Sequence, residues 1–117
     1  MDLKGGGTNM HSQMYAELVT GILEAFENRV LRIVLYGSVA RGEDTAESDI
    51  DIAVFVPARM DRETEERLSD AIVDLNLKYD KVFSVIDIDE GTYLKWRKVT
   101  PFYQNVDREG ITLWTAA

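Results

Sequence analysis

Leu35-Tyr36-Gly37-Ser38-Val39-Ala40-Arg41-Gly42, followed after five residues by Ser48-Asp49-Ile50-Asp51-Ile52, is the stretch whose reading decides the fold. Val30 to Tyr36 is apolar and rich in β-branched residues, which predicts a buried strand stopping at Gly37. Gly42, Asp44, Thr45 and Ser48 mark the residues that follow as a loop. Asp49 to Val56 then reads as a second strand, closed by Pro57. A period of two puts Asp49 and Asp51 on one face of that strand and turns Ile50, Ile52 and Val54 toward a core.

Outward from this pair the elements alternate. Upstream, Tyr15, Leu18, Val19, Ile22, Leu23 and Phe26 recur at helical spacing, with Ser12 as the expected N-cap. Downstream, Asp61 caps a second helix whose buried stripe is Leu68, Ile72, Leu75 and Tyr79. Val82 to Ile88 is a third strand and Glu90 to Arg97 a short helix. Pro101 opens a further turn over Phe102 to Val106, and Gly110 precedes a last strand, Ile111 to Trp114. The first two strands are expected to pair antiparallel, and the second helix to cross over to a parallel third strand. The fold class is therefore α/β, a small mixed sheet with helices packed against it. Met1 to Met10, with Gly5-Gly6-Gly7, is expected to be a flexible arm, leaving residues 11–117 as one domain.

Composition narrows the chemistry. The chain has 117 residues and a formal charge of −8. Residues Glu43 to Asp70 hold 10 acids against 3 bases, so the excess lies in one stretch. That balance argues against direct nucleic-acid binding and suits a site that wants cations, or a basic partner surface. There are no cysteines, which excludes disulfides, thiolate metal sites and cysteine nucleophiles. The single histidine, His11, cannot build a histidine-rich metal site. No apolar run is long enough to span a bilayer, and no apolar signal segment opens the chain. A cytoplasmic setting is expected.

The Asp49 and Asp51 carboxylates repel each other unless a cation lies between them. Hard oxygens at this spacing suit Mg2+, which keeps waters and draws further ligands from phosphates. Gly37-Ser38 can turn backbone N–H groups and a hydroxyl toward those phosphates, and Arg41 can add a charged fork. An isolated Asp-x-Asp is usually a solvated strand face and an isolated Gly-Ser an ordinary turn. Their order on adjoining strand ends is what points to a site.

Gly37-Ser38, ten intervening residues, then Asp49-x-Asp51 resembles the signature of the minimal nucleotidyltransferases (MNT) of the DNA polymerase β superfamily. Arg41-Gly42 and Ser48 also fit that motif, and Glu109-Gly110-Ile111-Thr112-Leu113 extends a weaker likeness. The resemblance implies a polymerase-β-like fold and Mg2+-dependent transfer of a nucleoside monophosphate from ATP or another nucleoside triphosphate, releasing pyrophosphate. It implies that Asp49 and Asp51 hold metal, and that Gly37, Ser38, Arg41 and Ser48 serve the triphosphate. The family adds a third carboxylate near the start of the next strand, where this chain has Ser84. Strand parity within Val82 to Asp89 puts Asp87 and Asp89 on the more polar face, so Asp87 is the expected third catalytic and metal-binding acid.

Larger relatives carry extra domains for the acceptor, and 117 residues leave no space for them. Acceptor binding is therefore expected to come from a partner or from a homo-oligomer. Similar minimal proteins are paired with a small helical HEPN-type protein as the antitoxin of a toxin–antitoxin pair, and some transfer adenylate onto that toxin. Two functions follow: adenylylation of a partner protein, or a catalytically degenerate module that neutralises its partner by contact.

Overall fold

The structure, a computed structural model, describes residues 9–116. Its elements run α1 (Asn9–Ala25), β1 (Arg32–Tyr36), α2 (Gly37–Arg41), β2 (Ile50–Val56), α3 (Arg62–Tyr79), β3 (Phe83–Asp89), α4 (Glu90–Trp96), α5 (Pro101–Glu109) and β4 (Ile111–Thr115). The four strands form one mixed sheet in the order β3-β2-β1-β4. β1 pairs antiparallel with both β2 and β4, while β2 pairs parallel with β3 through the α3 crossover. The expected α/β class and both expected strand pairings hold.

Alternation along β2 divides its side chains between two apolar layers. Ile50, Ile52, Val54 and Val56 join Ile33, Leu35 and Phe83 against α1 and α3, in a core that includes Leu18, Ile22, Phe26, Leu68 and Ile72. Ala53 and Phe55 face the other way, against Val34, Ile88, Tyr93 and Val106. Both faces are covered, which is why β2 is almost continuously buried. Asp51, half-buried, shares the second face with Ala53 and Phe55.

Three local expectations change. Ser12 lies inside α1, which starts at Asn9 and so includes the last two residues of the expected arm; residues 1–8 lie outside the described residues. Gly37 to Arg41, read as the start of a loop, winds into the short helix α2, closed by Gly42 at φ 73. The turn expected over Phe102 to Val106 continues to Glu109, with Pro101 in the first turn as expected. Asp61 does cap α3, its carboxylate accepting from the Thr64 N–H at 2.9 Å.

Candidate active site

Antiparallel pairing sets Tyr36 beside Asp51, so the end of β1 and the start of β2 meet at one end of the two central strands. Tyr36 is extended and Gly37 turns sharply at φ +79, a conformation that favours glycine. The turn also needs glycine for space, because a β-carbon on residue 37 would collide with the Asp51 carboxylate. Gly37 and Asp51 therefore pack as one unit. Asp49 stands immediately before the strand and is exposed. Burial first, then the neighbouring Asp49 charge, pushes the Asp51 carboxyl above its ordinary range, and Arg41 pulls the other way. Burial and the Asp51 charge likewise raise the Tyr36 hydroxyl.

Arg41 and the Gly37 N–H converge on one anion. The Glu109 carboxylate accepts from Arg41 Nη1 at 2.9 Å and from the Gly37 N–H at 3.3 Å. A second carboxylate, Glu43, accepts from Arg41 Nε at 2.8 Å. Donors on this turn thus already hold oxygen anions, the chemistry that a phosphate would require of them. Glu109 reaches the turn because α5 ends on β1: a β-carbon on Gly110 would strike Val34 and the Val106 carbonyl. In the sequence Glu109 belongs only to the weak terminal likeness of residues 109–113. It is 68 residues from Arg41, and local periodicity carries no trace of that contact.

Other expected site residues lie differently. Ser48 Oγ accepts from the Thr45 N–H at 2.8 Å, which closes the loop before Asp49. Asp87 does not join the cluster. β2 and β3 pair with Asp51 beside Ser84 and Val54 beside Asp87, so Asp87 shares a face with Val54 and opens toward α3, near Leu68 and Ile72. The parity expectation fails because side chains alternate and the parallel register matches the even positions of β3 to Asp51. Asp89 follows Asp87 onto that face and caps α4, its carboxylate accepting from the Thr92 N–H and hydroxyl at 3.0 Å. Among the described residues no three metal-ligating side chains gather, so Asp49 and Asp51 stand as a pair. A pair of hard carboxylates, next to anion-binding donors, fits a divalent cation completed by phosphate oxygens.

Residues 19–114 match the family described as "Polymerase beta, Nucleotidyltransferase". The chain belongs to that family. A curated relative from Methanocaldococcus jannaschii, named "Putative protein adenylyltransferase MJ0604", is 34% identical over 99 residues, covering 84% of this chain and 92% of the relative. A second protein of that organism with the same designation is 27% identical over 85% of this chain and 94% of its own length. A toxin–antitoxin crystal structure with AMP-PNP superposes with a TM-score of 0.60 at 22% identity, over 87% of this chain and 73% of that one. A complex of a tri-AMPylated Shewanella oneidensis HEPN toxin with its MNT antitoxin gives 0.58 at 20% identity, over 92% and 74%. The fold of this nucleotidyltransferase is thus that of the minimal type. Among the described residues no helix is long and apolar enough to cross a membrane.

Proposed function

We propose that this nucleotidyltransferase moves AMP from ATP onto a hydroxyl of a partner protein, as the antitoxin of a toxin–antitoxin pair. The observation that carries the reading is the Gly37 turn packed on Asp51, with Arg41 and the Gly37 N–H already holding an anion. Support for the acceptor comes from the relatives' name and from the toxin–antitoxin neighbours of like fold.

Asp49 and Asp51 would hold Mg2+, which neutralises phosphate charge when bound. The Gly37 N–H, Ser38 and Arg41 bind and orient the triphosphate; Ser48 shapes the loop that carries Asp49. In the reaction the acceptor oxygen bonds to the α-phosphorus, the bond from that phosphorus to the bridging oxygen breaks, and pyrophosphate leaves. With Ser84 beside Asp51 and Asp87 on the opposite face, the family's third carboxylate does not stand beside the pair, and the hydroxyl proton passes to solvent water.

Incubation with labelled ATP, Mg2+ and the product of the adjacent gene tests this directly. Label on that product supports it, and an unlabelled partner in the presence of bound ATP overturns it. The placement of Ser84 and Asp87 favours a second reading, a module that neutralises by contact alone. An Asp49→Ala, Asp51→Ala double variant separates the two: retained neutralisation means contact, while lost neutralisation with retained binding means catalysis.

A further inference from the structure

Gly91 to Val106 holds three bases, Lys95, Arg97 and Lys98, and no acid, on a chain whose net charge is −8. The same segment exposes Leu94 by 57%, Trp96 by 46% and Val99 by 66%. α4 is anchored by Tyr93 alone, whose ring meets Phe55 edge-on at 5.0 Å and Tyr103 at 5.6 Å. Of the other apolar residues of α4, Leu94 is largely exposed and Trp96 is half-exposed, with the Lys95 ammonium 5.3 Å from its ring. Exposed apolar side chains flanked by charge mark an interaction surface.

The surface is continuous with the active site. Phe102, partly exposed, meets the Tyr36 ring edge-on at 5.5 Å, and Tyr36 leads directly into the Gly37 turn beside Asp51. A polypeptide lying across Trp96 and Val99 would thus continue past Phe102 toward the reacting phosphate. Charge selects the occupant. The three bases, at the C-terminal end of α4 and in the turn after it, attract an acidic segment, while Asp89 and Glu90 lie at the other end of the helix. A long polyanion such as RNA would also run into the stretch Glu43 to Asp70, with 10 acids against 3 bases, which carries Asp49 and Asp51 themselves.

We propose that the surface formed by α4 and the start of α5 docks an acidic segment of the acceptor polypeptide and so presents its hydroxyl to the site. The proposal rests on the adenylyltransferase reading, but docking is measurable without transfer. The probes are labelled random copolymers of glutamate with tyrosine and of lysine with tyrosine, followed by fluorescence anisotropy. The glutamate copolymer should bind, and Lys95→Glu with Lys98→Glu should weaken it by about tenfold, as should added salt. ATP binding by the same variant should not change, and in the transfer reaction the acceptor KM should rise with the ATP KM constant. Should that variant lose its helical circular dichroism, the charge-removing pair Lys95→Ser and Lys98→Ser, or Trp96→Ser, takes its place with the same expected direction. Equal binding by variant and parent overturns the inference. So does preference for the lysine copolymer, tighter binding of a uridine oligonucleotide, or self-association abolished by the same substitutions. ATP and copolymer both bound, with no AMP transferred to the product of the adjacent gene, would instead refute the adenylyltransferase reading and leave the docking surface standing.

Discussion

Gly37 carries two constraints at once, a positive φ and the absence of a β-carbon against Asp51. Alanine there costs about 1 to 2 kcal/mol in backbone strain and also displaces the carboxylate. Gly37→Ala should keep the fold by circular dichroism and lose at least about tenfold in ATP affinity by calorimetry, since one factor of ten is about 1.4 kcal/mol. Unchanged affinity would separate the turn from the phosphates. This half of the site was legible in sequence because each part is local: a glycine after a β-branched run, and aspartates two apart on a strand. Asp87 was not, because its face is set by the pairing of β2 with β3, a non-local choice that parity within β3 alone cannot supply. Glu109 was illegible for the same reason, since only the docking of α5 on β1 brings it to Arg41.

α1 and α3 pack on one face of the sheet, and Glu17 ties them together at their exposed edge. Its carboxylate accepts from Lys78 Nζ at 2.7 Å and from the Tyr79 hydroxyl at 2.6 Å. Those hydrogen bonds, with a third from Gln13, hold the Glu17 carboxyl down to about 2, against an ordinary 4.5. A carboxyl depressed on folding adds stability above its unfolded value, and that stability fades as pH falls from 4.5 through 2. Glu17→Gln should therefore lower the urea midpoint at neutral pH and flatten its decline over that window. An acid limb identical to the parent's would show that the triad does not link the helices. Most elements were legible from periodicity, and their ends were not. The loop signals Gly42, Asp44, Thr45 and Ser48 hide α2, whose five residues start at Gly37 and end at the left-handed Gly42.

The whole molecule is two apolar layers divided by one sheet, and Ile52 lies fully buried in the larger layer. Ile52→Ala should cost about 2 to 5 kcal/mol by urea denaturation, a large part of the 5 to 15 kcal/mol typical of a domain. A cost below about 1 kcal/mol would mean that the layer is loosely packed. The same sheet brings two carboxylates and an anion-binding turn to one end of its central strands, and neither is sufficient alone. Two side chains offer Mg2+ too few oxygens, and a triphosphate without the ion is repelled by Asp49 and Asp51. Metal and nucleotide should bind as a pair, each tightening the other by one factor. Calorimetry of ATP binding, with Mg2+ and again with a chelator, tests this most directly. The account predicts clear binding with the ion and a loss of at least about tenfold without it; equal affinity in both conditions would contradict it.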